Sequence, residues 1–508
     1  MKKRFLFLLF SAALPVFFLP SEVSAGNLRT PRTPRTLTIL HTNDMHATFV
    51  PREAMWVKTT PRPMVGGFAG LKAVADSVRA GRTDVLMMDA GDVMTGNPIT
   101  DRFYRNASGG ALFEMMNMIG YDVWCPGNHD LDISQDNLRG LVSIARFPTV
   151  SANLLNDRLE FPLGNRPYVV LERGGIRIGV IGIMSQALSS LVNQNNLAGL
   201  RVLSPVETVQ RYIDELDPKT DLLIALTHQG VDEDSALASE VHGLDVIVGG
   251  HSHTRLKKPK VVNDVIIVQA GSNTENLGVL DLTVADDRVE HFDGRLITLW
   301  AGQVRPANTV SVFADSLQKE IEKEYSEVIG ILREDWIRRD TLTAFASFVT
   351  EAQRAAVQAD VAFMNVHGIR RDIAAGPLTK RDLFEALPFR NVLTTFQLSG
   401  RELRRVLDHA VRTRQAIYVT GISGRWQKKP DSILVWSGLR VGSSPLDDTR
   451  QYSCTASDYF VGEARRYLGL QPAGIIYLSR TLFDTVEKAV RAEHDIEARV
   501  AATVRRVP

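Results

Sequence analysis

Five short polar clusters hold the residues of this chain that could do chemistry. The densest is Pro126-Gly127-Asn128-His129-Asp130-Leu131-Asp132, where an amide, an imidazole and two carboxylates follow one another closely. The others are Asp44-Met45-His46, Gly91-Asp92, Thr227-His228 and Gly250-His251-Ser252-His253. A mixture of carboxylate, imidazole and amide suits borderline divalent cations such as Zn²⁺ or Mn²⁺ better than a redox cluster. Asp44, His46, Asp92, Asn128, His228, His251 and His253 are too many ligands for one tetrahedral site. They suit two adjacent ions that share one carboxylate. Two ions ~3.5–4 Å apart can activate a water for in-line attack on phosphorus.

Such residues act together only if the backbone delivers them to one place, and the apolar segments before each cluster have that order. Leu37–Thr42 reads as a strand that ends at Asn43-Asp44, Val85–Asp89 as one that ends at Gly91-Asp92, and Tyr121–Cys125 as the strand before the central cluster. Ile176–Ile183, Leu222–Thr227 and Val246–Gly249 continue the series, the last two ending at His228 and Gly250. Helical spacing over Phe68–Val78, Leu112–Met118, Val206–Leu216 and Ala236–Val241 separates these strands. Strands alternating with helices, with polar residues at the strands' C-terminal ends, predict a layered α/β domain over roughly 37–304 with its chemistry at one edge. A charged helix over Ser311–Val328, within a connecting segment 305–330, is expected to link it to a second α/β unit over 331–508. There Phe345–Val357 and Arg401–Val411 read as helices, and Val361–Met364, Ser432–Gly438 and Gln451–Thr455 as strands.

Composition narrows the function classes. At 508 residues the chain exceeds one ordinary core, which favours two domains. Charge is balanced, 59 basic against 58 acidic residues, so net charge carries no signature of a nucleic-acid polymer as partner. Lys2-Lys3-Arg4, the apolar Phe5–Leu19 and the small residues Val23-Ser24-Ala25 have the layout of a signal peptide over 1–25. A periplasmic or secreted location follows, with no membrane span in the mature chain. Residues 26–36, rich in Arg, Thr and Pro, read as an extended linker. Cys125 and Cys454 lie in different expected domains and imply no disulfide.

The order of the clusters resembles the calcineurin-type metallophosphoesterases. Leu40–His46 (Leu-His-Thr-Asn-Asp-Met-His) and Gly250–Thr254 (Gly-His-Ser-His-Thr) are more specifically similar to the secreted 5′-nucleotidase/UDP-sugar hydrolase family, over nearly the whole mature chain. The resemblance implies an αββα metallophosphoesterase sandwich followed by a second α/β domain for substrate recognition. It also implies two divalent metal ions. Asp44, His46, Asp92 and His253 would hold one, and Asp92, Asn128, His228 and His251 the other. His129 matches the family's transition-state-stabilising histidine, and Asp132 the acid that orients it. In the second domain the pattern Asn-Gly-Gly-Gly-Ile-Arg appears as Asn365-Val366-His367-Gly368-Ile369-Arg370, so Asn365 and Arg370 match nucleotide contacts. Phe389 and Tyr459 match the two aromatics that clamp a base. Recognition residues and metal ligands then belong to different halves, so turnover requires closure of one on the other.

The activity this implies is phosphate release from nucleotides or cleavage of a related phosphoanhydride. A 2′,3′-cyclic phosphodiesterase or a thiosulfate-type sulfate-ester hydrolase is the alternative within enzymes. A non-catalytic nucleotide-binding protein is the alternative outside them, although a binder has no need of His129 and Asp132. Three stretches depart from the family pattern. Val366 and His367 replace glycines, Arg390 stands for a glycine after Phe389, and Glu463-Ala-Arg-Arg466 replaces the Gly-Gly-Asp-Gly whose acid binds ribose hydroxyls. If His367, Arg371, Arg390, Arg465 and Arg466 face the cleft, they favour an anion beyond a single phosphate.

Overall fold

Alternation along the apolar strands decides how the first half is layered. In a computed structural model describing residues 33–303, 308–414, 417–428 and 434–506, Arg35–Thr42, Val85–Asp89 and Val123–Trp124 run parallel. They share a five-stranded sheet with the antiparallel Asn276–Ala285 and Arg288–Thr298. Ile176–Met184, Leu222–His228, Val246–Gly249 and Val265–Val268 run parallel in a second sheet, of six strands. Successive side chains of a strand point to opposite faces. Leu37, Ile39, Leu86 and Met88 therefore meet Ile178, Val180, Leu222 and Ile224 in a core between the sheets. Leu40 and Met87 face outward onto the helices Phe68–Arg79, Gly110–Ile119 and Gln135–Ile144. Ile181, Ile183, Leu223 and Ala225 pack beneath Pro205–Leu216 and Val231–Glu240. The result is helix, sheet, sheet, helix, as expected.

Register then gathers the strand ends. Thr42 pairs with Asp89 and Asp89 with Trp124 in one sheet. Met184 pairs with His228 and Thr227 with Gly249 in the other. All the cluster-bearing loops thus leave the sandwich from one edge. The expected strand Tyr121–Cys125 forms ladder pairs only at Val123 and Trp124.

Several elements differ from the sequence reading. Asn276–Ala285 and Arg288–Thr298 form a long hairpin that was not expected. The second of these strands is an edge strand, mostly polar and exposed, and shows no apolar alternation. The expected linker helix spans Thr309–Tyr325 and is not a free connector. Val310, Ala314, Ile321 and Tyr325 form an apolar stripe in the core against the first helical layer. Arg35 and Thr36, placed in the linker, already belong to the first strand. The expected signal peptide lies outside the described residues. Among the described residues no helix is long and apolar enough to cross a membrane. Cys125 and Cys454 are both buried and free.

The second half is built on a five-stranded sheet. Its central strands, Val361–Asn365, Gln451–Ser457 and Val392–Ser399, are flanked by Ile417–Thr420 and Ala473–Thr481. Helices Ala344–Ala356 and Gly400–Thr413 cover it. The strand expected over Ser432–Gly438 is described as Leu434–Val441.

One buried imidazole tests the inner packing. His41 is 2% exposed, and burial lowers its pKa to about 4, so it sits in the fold as a neutral ring. The ring lies over Gly278 of the neighbouring strand, where an added Cβ would come 2.1 Å from its Nε2. Gly278→Ala is therefore expected to destabilise the protein by about 1–3 kcal/mol through overpacking. Thermal unfolding of wild type and variant checks this, and an unchanged midpoint would refute the packing argument.

Candidate active site

The loops that carry the clusters adopt a backbone that side-chain-bearing residues rarely accept. Asp44, His46, Asp92, His251 and His253 have φ of 51°, 45°, 57°, 76° and 54°. Conformations of this kind persist only where surrounding contacts fix them. Asp130 supplies many of those contacts. Its Oδ2 accepts the backbone N–H groups of Asp92 (3.0 Å) and Gly127 (2.7 Å), and its Oδ1 those of Val93 (3.1 Å) and Met94 (3.0 Å). One buried carboxylate so ties the Asp92 loop to the Asn128 loop. Close approach is also needed between these loops, since a Cβ on Gly127 would lie 2.2 Å from Asp92 Oδ1.

Seven predicted ligands converge here. Asp44, His46 and His253 form one donor group, and Asp92, His228 and His251 another, each with its donor atoms within 4.8 Å of one another. His253 Nε2 is 3.3 Å from Asp44 Oδ1, and His228 Nε2 is 3.2 Å from Asp92 Oδ2. Asp92 Oδ2 also lies 4.0 Å from His46 Nε2, so this oxygen faces both groups. Asn128 lines the same cavity as Asp92, His251 and His253.

In each carboxylate one oxygen is held by N–H donors and the other faces an imidazole nitrogen. Asp44 Oδ2 accepts from Asn43 Nδ2 (2.6 Å) and the His251 N–H (2.9 Å). Asp92 Oδ1 accepts from the His129 N–H (2.7 Å). His228 Nδ1 donates to the Ala90 carbonyl (2.6 Å), and His46 Nδ1 faces the Thr95 carbonyl (3.1 Å), which turns both Nε2 atoms inward. Asp44 Oδ1, Asn128 Oδ1 and His228 Nε2 are buried without a hydrogen-bond partner. Buried polar atoms are normally satisfied, and three orphans in three predicted ligands fit divalent cations between them. Burial, then the Arg370 guanidinium, keeps His46 well below the usual imidazole range. Burial, then His228, brings His251 down to about 4. Both are thus neutral, the form that ligates metal.

His129 stands beside this cluster. Its Nδ1 is 2.7 Å from Asp132 Oδ2, and the Thr95 hydroxyl donates to the same oxygen at 2.7 Å. Burial opposes its charged form, but Asp132 and Asp92 outweigh burial and raise the pKa. Both carboxylates favour the protonated ring, which lies 5.3 Å from that of His46, centroid to centroid.

The second half closes over it. Arg370 Nη2 donates to His46 Nε2 at 3.0 Å. Phe389 stacks on His129 with centroids 5.5 Å apart, and the Arg370 guanidinium lies 5.7 Å from the Phe389 centroid. Asn365, Arg370, Phe389 and Tyr459 line, with His129, a cavity of about 650 Å³. The Tyr459 hydroxyl donates to the Ser190 carbonyl at 3.0 Å, tying this ring to the first half.

The expected cluster of cations is only partly in this cavity. His367, Arg390 and Arg466 line it, Arg371 lines an adjoining cavity of about 410 Å³, and Arg465 lines neither. Arg390 is engaged by Asp101 and Arg371 by Glu385. Sequence reading missed Asp130 as an organiser, although it stands inside the central cluster. It also missed Arg338, which lines both cavities and sits in no motif.

Comparison with known proteins agrees with this geometry. The calcineurin-like phosphoesterase family model matches residues 37–255, and the 5′-nucleotidase C-terminal domain model matches 298–468. A 5′-nucleotidase of Vibrio cholerae serotype O1 is 29% identical over 429 residues, covering 73% of this chain and 74% of its own. An apyrase of Tabanus yao is 27% identical over 413 residues, covering 74% and 73%. The crystal structure of a 5′-nucleotidase precursor from Thermus thermophilus superposes with a TM-score of 0.80 at 25% identity, covering 93% of this chain and 99% of that one. Two matched domains in this order, on this sandwich and around these ligands, lead to one conclusion: the chain belongs to the 5′-nucleotidase family of metal-dependent phosphoesterases.

Proposed function

We propose that the protein is a secreted or periplasmic dinuclear-metal phosphohydrolase that releases the 5′-phosphate of nucleotides. The observation that carries this reading is the pair of donor groups facing one shared Asp92 oxygen, with the His129–Asp132 pair beside them. Asp44, His46, Asp92 and His253 would hold one divalent ion of the Zn or Mn type, and Asp92, Asn128, His228 and His251 the other. Bound ions of this kind lower the pKa of water enough to supply a nucleophile at neutral pH and polarise a phosphoryl oxygen.

The chain's own groups do the rest. Charged His129 offers a preorganised donor to the phosphoryl and leaving-group oxygens as negative charge develops there. Asp132, itself held by Thr95, keeps that imidazole oriented and protonated. Arg370 reaches the phosphoryl end from the second half through its contact with His46, and Asn365 lines the same cavity. Phe389 covers His129 from that same half and limits water around it. Phe389 and Tyr459 line the cavity into which a nucleoside leaving group would fit.

Chelation is expected to abolish phosphate release from AMP, and added Zn²⁺ or Mn²⁺ to restore it. Asp92→Asn is expected to lose both metals, read by elemental analysis. Full turnover in the metal-free protein would overturn the reading.

His129→Ala is expected to lower kcat about 10²–10³-fold with metal content intact, as for loss of one preorganised transition-state donor. Asp132→Asn should cost less, because it acts through His129. Collapse of metal occupancy in His129→Ala would instead make His129 a ligand.

A further inference from the structure

The cluster of predicted metal ligands borders two cavities whose linings differ in kind. The larger, of about 650 Å³, is lined by His129 and by the aromatic rings of Phe389, Tyr459 and Tyr467. The smaller, of about 410 Å³, reaches the cluster at His46 and His253, and no Phe, Tyr or Trp among the described residues lines it. Among the described residues, Thr95, His253, Arg338 and Arg370 line both. Arg370 stands across this junction. Its Nη2 donates to His46 Nε2 at 3.0 Å, and its guanidinium lies 5.7 Å from the Phe389 centroid.

Among the described residues, five arginines line the smaller cavity, Arg52, Arg338, Arg370, Arg371 and Arg381, against three acids. Burial, then Arg52, lowers Arg371 to about 10, as crowding among these cations requires. Arg52, Arg371 and Arg381 are paired with Glu275, Glu385 and Glu322 respectively. A lining of net positive charge concentrates anions. Pairing softens its hold, so an anion that enters can also leave. The cavity opens to solvent where Met64, Ala375 and Pro377 are exposed. It offers no aromatic face for a base to stack on, so its chemistry suits a small inorganic anion.

In the nucleotidase reading the larger cavity is a poor way out for phosphate. The nucleoside lies there after cleavage, beside Phe389 and Tyr459, and contacts between the halves resist opening. Arg390 pairs with Asp101, and the Tyr459 hydroxyl donates to the Ser190 carbonyl at 3.0 Å.

We propose that the smaller cavity is a separate exit for inorganic phosphate, so that phosphate and nucleoside leave on different sides of Arg370 with the halves still closed. This rests on the nucleotidase reading, which decides the product that each cavity takes.

Narrowing the smaller cavity from either wall tests it. Ala374 and Met64 line that cavity and not the larger one, one from each half. In metal-loaded Ala374→Trp and Met64→Trp chains, single-turnover cleavage of AMP is expected to stay within about twofold of wild type, while phosphate reaches solution about tenfold more slowly. Quenched flow reads cleavage, and a fluorescent phosphate reporter reads release. Adenosine should appear ahead of phosphate. The proposal is overturned if phosphate leaves both variants at the wild-type rate, if cleavage slows in step with release, or if adenosine is delayed as much as phosphate. The same measurement with 4-nitrophenyl phosphate keeps the exit distinct from the nucleotidase reading. Delayed phosphate from that ester, in a chain that cleaves no AMP, would remove the nucleotidase reading and leave the exit. A chain that cleaves neither ester overturns both.

Discussion

Two carboxylates taken fully out of water and set close together dominate the energetics of this protein. Asp44 and Asp92 are 0% and 1% exposed, and each raises the other's electrostatic cost. A buried, uncompensated charge costs several kcal/mol, so such a pair survives only among positive charge and hydrogen-bond donors. His228 meets part of that demand, and its pKa is raised to about 10 because Asp92 and Asp44 outweigh the effect of burial. Bound divalent cations would take over the role of that proton. The rest of the first half serves the cluster, from the parallel strands that end together to the left-handed loop conformations and the Asp130 carboxylate that fixes them.

The contribution of the second half is electrostatic and steric at once. Arg370 brings a fixed positive charge to within hydrogen-bonding distance of His46, and Phe389 lays an apolar face on His129. Polar contacts at the rim, Asn97 to Glu385 and Tyr459 to Ser190, hold the halves in register around the cavity. Charges that looked equivalent along the chain therefore have different work. Arg390 joins the halves through Asp101, while Arg466 lines the cavity with its guanidinium over the Tyr467 ring.

Much of the fold was legible because short-range rules governed it. The strands before Asp44, Asp92 and His228 are largely apolar runs buried on both faces, and the helices expected over Phe68–Val78 and Val206–Leu216 are observed as Phe68–Arg79 and Pro205–Leu216. The hairpin Asn276–Thr298 was not legible. Its outer strand borders solvent, and its pairing with Arg35–Thr42 spans more than two hundred residues. The helix Thr309–Tyr325 was expected over Ser311–Val328, but its packing was not, because its charges are conspicuous whereas its apolar stripe repeats only about once per turn.

By itself the sequence determined the identity and order of the residues that the two donor groups bring together. A loop at the end of a buried strand has few ways to use a histidine and a carboxylate, and the clusters repeat that arrangement. It also held the His129–Asp132 spacing, because three residues along one helical turn place two side chains side by side. Only the tertiary structure decided which Asp92 oxygen faces both donor groups, that Asp130 ties two loops together, and which arginines are neutralised. Those outcomes depend on distances between segments far apart in the chain. A guanidinium's role is set by whether an acid from elsewhere reaches it, and no local pattern encodes that.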